Sequence, residues 1–360
     1  MKVLFDGFWW ARGPVSNRHI LHSLIRTWVA RYPDDEVVVA TPRRDAGNLT
    51  GLPAGVTVRS LVARPHGLAV IAELPWVARA LKADVVVAQN FTPIFGKSVV
   101  FIHDVLFMTN PEWFTAKERA YFALMPLTAR RASRVLTSSS TEAGRIAQQV
   151  SGVNRVIAVG LGANEALMSA EPIPVGGLLP RRYFLTVGRL NVRKNLAFTC
   201  EAAIRSGAIS TSFPLVVAGG AQGKGERLPA IINEAVADGR VVFTGHVSDG
   251  QLAWLYANAQ AFLFLSRGEG FGLPPLESLR FGTPVIASDI PIMREVLADN
   301  ATFVAPTDLA AAGQALRRLK SEDTTTVERA SWADHISKYD WDGTVDAFRD
   351  QCLTAVEDTG

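Results

Sequence analysis

Cysteine is nearly absent from the 360-residue chain: Cys200 and Cys352 are the two present, both inside helix-like patterns, so no disulfide framework is expected. Histidine is sparse as well. Its six copies are scattered and no H-E-x-x-H occurs, so no metal site is expected. No uninterrupted apolar run reaches the roughly 18 residues of a membrane-spanning helix. The opening MKVLFDGFWWARG meets a charge at Asp6, too early for a signal peptide, and points to a cytoplasmic protein, soluble or peripheral on the inner face of the cytoplasmic membrane. Charged residues are only 20% against 48% hydrophobic, which is globular composition and excludes a disordered chain. The charge is unevenly spread. Residues 1–170 hold 19 Lys and Arg against 12 Asp and Glu, and 171–360 hold 18 against 22. A basic N-terminal half suits anionic lipid or an anionic substrate, or is ordinary solvated surface.

What is abundant is alternation. Short β-branched runs at 3–8, 36–40, 56–62, 84–89, 98–104, 134–139 and 155–160 are separated by helix-length segments at about 17–31, 67–82, 115–132 and 140–150. DVVVA and SVVFI are continuous apolar runs bounded by polar residues, the pattern of strands buried on both faces of a parallel sheet. Residues 160–182 carry three prolines and four glycines without periodicity, as a linker does. Alternation restarts with strands at 183–188, 214–220, 240–245, 261–266, 284–288 and 302–306. Helices are expected between and after them, at about 194–207, 226–238, 249–258, 274–282, 308–320 and 324–338. The fold class is therefore α/β, with two Rossmann-like doubly wound domains facing across a cleft and ligands at the carboxyl ends of the strands. The expected division is 1–165, a linker at 166–182, 183–338, and a last helix within 339–360.

Two suggestive strings fail when spelled out. AQGKGER (221–227) lacks the spacing of a phosphate loop, because Ala218 and Gly225 stand where glycine and Ser or Thr are required. Asp340-Trp341-Asp342 has the D-x-D spacing of some metal-diphosphate sites, but it opens the final helix, where Asp340 reads as an N-cap.

Three constellations remain. VGRLNVRKNL (187–196) puts Arg189 and Lys194 in the turn between a buried strand and a helix, a natural place for a diphosphate; incidental charges on a solvated turn are the alternative. SRGEGFGLPPLES (266–278) spaces Glu269 and Glu277 around Gly270, Phe271, Gly272 and Leu273. Pro274 and Pro275 set a helix start, with Glu277 in its first turn and Glu269 in the loop outside it. Carboxylates of this kind suit vicinal hydroxyls; a helix-start role explains Glu277 alone. SVVFIHDVLFMTNPEWF (98–114) ends a buried strand at His103 and Asp104, where a lone histidine is more often structural; here it would sit on the cleft rim of the first domain.

Together these strings resemble the retaining, nucleotide-sugar-dependent glycosyltransferases of family 4, which have the GT-B fold. The resemblance covers essentially the whole chain. It is strongest over 183–306, in GFGLPPLE and GTPVIASDIPIMREV (282–296). It implies that Glu269 contacts the donor hexose, Glu277 the ribose, and Arg189 with Lys194 the diphosphate. His103 matches a residue near the transferred sugar and Asp104 its neighbour. GHVSDGQL (245–252), with Val247, matches the nucleobase segment, and the final helix is expected to return to the first domain. The loop ARGPVSNRH (11–19) departs from the family's glycine-rich form. In relatives the backbone amides of this loop meet the diphosphate; the chain keeps Gly13, which the resemblance puts on the donor, and Arg18, while Pro14 removes one N–H donor.

IHDVLFMTNPEWFT with LTARRASRVLTSSS looks most like bacterial mannosyl- and rhamnosyltransferases of polysaccharide assembly. The implied reaction moves mannose from GDP-mannose to a lipid-linked or polysaccharide acceptor, with a UDP- or dTDP-sugar as the alternative donor. No cofactor is expected, the nucleotide sugar being a substrate, and no nucleic acid partner. The segment KERAYFALMPLTARRASR (117–134) reads as a basic amphipathic helix that could lie on an anionic membrane surface. Trp9 and Trp10 could anchor there or form an acceptor platform, on the acceptor side with Asp104 and Arg18. A glycosidase needs two carboxylates but no diphosphate clamp. A nucleotide-sugar epimerase, or a binding subunit without transferase activity, are the remaining readings.

Overall fold

The computed structural model describes every residue except 46, 154, 221–227, 323–325 and 359–360. The AQGKGER string thus lies outside the described residues. The chain forms two compact units. The first comprises 1–111, 116–162 and 339–360, and the second 112–115 and 163–338.

In the first unit seven strands form one parallel sheet in the order β3-β2-β1-β4-β5-β6-β7. They are β1 (Lys2–Asp6), β2 (Glu36–Pro42), β3 (Thr57–Leu61), β4 (Val85–Gln89), β5 (Ser98–Phe101), β6 (Arg134–Thr137) and β7 (Val156–Ala158). β4 and β5 are buried along their whole length, as their unbroken apolar runs require. Order reverses between β1 and β4, which are both hydrogen-bonded neighbours in the sheet. That reversal is the topological switch point, where open α/β sheets leave a crevice at their carboxyl edge.

The final helix, Trp341–Glu357, belongs to this unit and packs on the helix Val15–Arg31 and on β4, β5 and β6. Asp340 caps it by accepting from the Gly343 N–H at 2.6 Å, the N-cap role read from the sequence. Arg349 and the N-terminal ammonium both pair with the buried Asp35 carboxylate, tying the helix to the strand edge.

The second unit repeats the arrangement with six parallel strands in the order β10-β9-β8-β11-β12-β13. These are β8 (Phe184–Val187), β9 (Leu215–Ala218), β10 (Val241–Gly245), β11 (Ala261–Phe264), β12 (Val285–Ser288) and β13 (Thr302–Val304). Phe184, Leu215, Val217, Leu263 and Ile286 fill the core between the sheet and its helices. The switch point here lies between β8 and β11. These are the two strands whose following loops carry Lys194 and Glu269.

Three expectations need correction. The segment 117–134 is not one helix. It breaks into Ala116–Phe122 and Met125–Ala129, because Pro126 has no N–H and its ring clashes with the Phe122 carbonyl four residues back. Residues 163–173 are not a bare linker. Asn164 caps a short helix, Glu165–Met168, and the Ile173 N–H bonds to the Gly250 carbonyl at 2.9 Å. Glu277 is not in the first turn of its helix. Gly272, at φ +112°, starts that helix at Leu273, so Glu277 is its fifth residue.

Candidate functional site

The carboxyl edge of the second sheet is knit together by glycine backbone. The Gly188 N–H bonds to the Ala218 carbonyl at 2.9 Å, and the Gly219 N–H to the Gly245 carbonyl at 2.8 Å. Gly219 has φ +140°, and a Cβ there would lie 2.1 Å from the Gly188 carbonyl oxygen. No other residue allows this approach, and it fixes where the loop after β8 leaves the sheet.

That loop ends in a single 3₁₀ turn, Val192–Lys194, whose first orphan N–H groups are partly satisfied by Asn191, accepting from the Lys194 N–H at 3.0 Å. Asn195 follows in the left-handed region at φ 55°, then the helix Leu196–Arg205. Asn195 is buried, and its side-chain amide donates to the Leu265 and Pro306 carbonyls, both at 3.0 Å, while its oxygen accepts from Arg267 Nε at 3.0 Å. One side chain thus fastens the loop after β8 to those after β11 and β13. Sequence reading missed it, since a Lys-Asn pair before a helix reads only as a turn.

The turn delivers Lys194 Nζ to Glu269 Oε1 at 2.8 Å and Arg193 Nη1 to Glu269 Oε2 at 3.3 Å. Lys194 also lies over the Phe264 ring, 4.5 Å from its centroid. Burial raises the Glu269 carboxyl, but the adjacent Lys194 and Arg193 charges outweigh it and hold it below the ordinary range. Burial likewise lowers Lys194, and the Glu269 charge offsets this only in part. Arg189, expected with Lys194 on a donor diphosphate, is exposed, and its charge also lowers Lys194. Arg193, the neighbour of Lys194 in the 3₁₀ turn, is the second cation on the Glu269 carboxylate.

Glu277 has a different environment. It is buried on its helix, Leu273–Arg280, and accepts a hydrogen bond from Tyr256 Oη at 3.1 Å. Burial pushes its carboxyl up to about 7, with the Tyr256 bond and the Lys194 charge only partly compensating. Tyr256 comes from the helix Asp249–Asn258, set by a capping box between Ser248 and Gln251 just after the half-buried Val247. Gly270 and Phe271 are buried beside Glu269, and Leu273 is half-buried. Gly272 lies against Met293, where a Cβ would approach Cε to 2.4 Å. The second unit therefore gathers Lys194, Glu269, Gly270, Phe271, Gly272, Leu273 and Glu277 at one edge. Arg193, Tyr256 and Asn195 are the residues the sequence did not single out.

The first unit holds the other candidates. His103 Nε2 lies 2.8 Å from Gln89 Oε1, and burial lowers the imidazole to about 4, so it is neutral at pH 7. The loop that follows is pinned by buried Glu142, whose Oε1 accepts the Val105 N–H at 2.8 Å, and Asp104 accepts the Leu106 N–H at 3.2 Å. Trp10 is buried in the protein interior, its indole N–H on the Thr50 carbonyl and its ring tilted against His22 with centroids 4.0 Å apart, so it offers no acceptor platform. Trp9 is half-buried and keeps that possibility. Gly13, at φ +137°, sits so close to Trp9 that a Cβ would meet the indole at 2.4 Å. The missing side chain leaves room for that ring. Arg18, in the first turns of the helix Val15–Arg31, has a buried Nε without a hydrogen-bond partner. Among the described residues no group of His, Cys, Asp and Glu is arranged to hold a metal ion, and no helix is long and apolar enough to cross a membrane.

Comparison with known proteins gives two family matches in series. Residues 18–162 match the glycosyl transferase 4-like domain, and residues 176–335 match glycosyl transferases group 1. The O-antigen chain mannosyltransferase RfbU of Salmonella typhimurium is 27% identical over 266 residues, covering 72% of this chain and 70% of that protein. The GDP-mannose:cellobiosyl-diphosphopolyprenol alpha-mannosyltransferase of Xanthomonas oryzae is 28% identical over 270 residues, covering 72% and 68%. Among solved structures, a glycosyltransferase from Rickettsia africae superimposes with a TM-score of 0.70 at 13% identity, over 99% of both chains, which shows the shared fold. With both sheets in the doubly wound order and both halves matched in sequence, the chain belongs to the GT-B glycosyltransferases, a 4-like domain followed by a group 1 domain.

Proposed function

We propose that the chain transfers a hexose, mannose from GDP-mannose, to a hydroxyl of a lipid-linked or polysaccharide acceptor with retention at the anomeric carbon. The observation that carries this reading is the pairing of Lys194 and Arg193 with Glu269 at the switch point of the second sheet, with buried Glu277 on the helix that follows. The cations suit the donor diphosphate, whose negative charge grows as it leaves. Arg189, exposed at the mouth of the same turn, adds to the field. Without a donor, Glu269 occupies those cations as an internal counter-ion. With one, its carboxylate would turn to the hexose hydroxyls as the phosphates take over the cations. Glu277 would accept from the ribose hydroxyls, with Val247 and Gly272 beside the nucleoside.

Retention follows from a front-face attack in which a donor phosphate oxygen takes the acceptor proton. His103, neutral at pH 7, then acts as a hydrogen-bonding group near the transferred sugar and not as a charge. In this reading protein cations do the work of a metal, and no cofactor takes part. Mannose as the sugar is supported by the names of the relatives, which are mannosyltransferases. The first unit would take the acceptor, with Asp104 and Arg18 on its acceptor side. Its segment Ala116–Ala129 shows Leu124 and Leu127 at 50% and 56% exposure, near exposed Lys117, Arg119, Arg130 and Arg131, a combination that suits an anionic membrane surface.

The test is a thermal-shift panel of GDP, UDP, dTDP and ADP, since a ligand raises apparent stability by RT ln(1 + [L]/Kd). GDP should stand out. A clear UDP or dTDP preference would overturn the donor, and a donor that binds but is never turned over would mark a binding subunit.

A further inference from the structure

The switch point of the first sheet carries a buried chain of polar groups that the proposed reaction leaves without a task. Asp6, the last residue of β1, is buried and accepts three hydrogen bonds. Two come from backbone N–H groups, Phe8 to Oδ1 at 3.1 Å and Gln89, the last residue of β4, to Oδ2 at 3.3 Å. The third is from His66 Nε2 to Oδ2 at 2.7 Å. Beyond the imidazole, Nδ1 lies 3.0 Å from the Tyr121 hydroxyl, on the helix Ala116–Phe122.

A neutral imidazole facing this carboxylate carries its proton on Nε2, which leaves Nδ1 with its lone pair. In that form the Tyr121 O–H donates to Nδ1, and the half-buried phenol has lone pairs left for a further partner. A group that meets it must bring a hydrogen, as a sugar hydroxyl does.

The surroundings fit a sugar ring. Phe8, Trp9 and Phe91 enclose His66 at ring separations of 4.9, 5.1 and 5.6 Å, and Phe91 meets Tyr121 at 5.3 Å. Of these rings Phe8 and Phe91 are buried, while Trp9 and Tyr121 reach the surface. An indole beside a hydrogen-bonding tip is the pairing that holds the apolar face and one hydroxyl of a hexose. Trp9 is seated there by the missing side chain of Gly13. The loops after β1 and β4 that build this surface flank the switch-point crevice.

We infer that Tyr121 accepts a hydrogen bond from a hydroxyl of a hexose ring of the glycan acceptor lying against Trp9, and that His66 and Asp6 are positioning residues that set the polarity of that contact. This rests on the transferase reading for the identity of the glycan. Burial and the nearby Asp6 charge raise the Tyr121 phenol, so it stays protonated.

The experiment is saturation-transfer NMR on the full chain with methyl α-glycosides of mannose, glucose and galactose, with and without saturating GDP. At least one glycoside should receive saturation from the wild type, and should keep it when GDP is present. Tyr121→Phe should weaken that glycoside about tenfold while leaving the GDP-induced shift as in the wild type. Trp9→Ala should weaken it as well. The inference is overturned if no glycoside binds in the presence of GDP, if Tyr121→Phe binds as the wild type does, or if it loses the glycoside and GDP together. Because the GDP shift is read in the same samples, failure of the donor reading appears as a missing shift, and failure of this one as a missing glycoside signal.

Discussion

Replacing Glu277 by Gln should make the second unit more stable at pH 8 while weakening its response to GDP. Burial pushes this carboxyl up to about 7 from an ordinary value of 4.5. A group that holds its proton more firmly in the fold than in the unfolded chain favours the fold fully below its unfolded value. That contribution is lost as the pH rises through the folded value. For Glu277 the window runs from about pH 4.5 to about pH 7. About 2.5 pH units at about 1.4 kcal/mol each place the cost of ionising it in the folded state on the order of 3 kcal/mol at pH 8. Gln has nearly the same volume, accepts the Tyr256 hydroxyl equally well, and brings no charge to bury. On a unit of this size the gain corresponds to about 5–10 °C. Scanning calorimetry of the two proteins at pH 8 and pH 4.5 should show the variant melting higher at pH 8 and close to the wild type at pH 4.5. GDP should raise the wild-type transition at pH 8 by more than the variant's, since the ribose hydroxyls then meet a neutral amide oxygen in place of a carboxylate. A difference between the proteins that does not change with pH, or a variant less stable at pH 8, would refute the reasoning.

Lys194→Ala removes the cation closest to Glu269, and turnover with a nucleotide sugar should fall on the order of 10²–10³-fold, as for a lost oxyanion donor; near-normal turnover in a steady-state assay would contradict its place on the diphosphate. Glu269→Gln should behave in the opposite sense to Glu277→Gln. Freed of their internal counter-ion, Lys194 and Arg193 should bind GDP at least as tightly by calorimetric titration, while sugar transfer is lost. Gly219→Ala forces a Cβ against the Gly188 carbonyl at a φ that side chains avoid, and should lower the urea midpoint by an amount equivalent to about 2 kcal/mol or more.

The two sheets were legible because parallel strands buried on both faces must be written as unbroken apolar runs, and β4, β5, β9 and β11 are such runs. The loops at their carboxyl ends stood out through local chemistry, above all the double proline that sets the helix carrying Glu277. What stayed hidden depends on three-dimensional aim. Arg189, Arg193 and Lys194 share one loop, and only its folding into the 3₁₀ turn capped by Asn191 brings Arg193 to Glu269. Tyr256 reads as one more apolar position of an amphipathic helix until its hydroxyl is seen on Glu277. Asp6 and His66 lie 60 residues apart, and no local pattern links them. Trp9 and Trp10 are adjacent, and only the packing of His22 and Thr50 shows which one is buried. The broken helix after Ala116 was a misreading of composition over Pro126, which the local rule for proline would have caught.

The central claim is that the second unit grips a nucleoside diphosphate sugar and gives up its hexose with retained configuration. Incubation of the protein with GDP-α-mannose and a mannoside acceptor, with the product's one-bond carbon–proton coupling at the new anomeric centre read by NMR, tests it most directly. The account predicts an α-linked mannoside whose formation disappears with Lys194→Ala. A β-linked product, or hydrolysis of a simple glycoside with no nucleotide present, would contradict it.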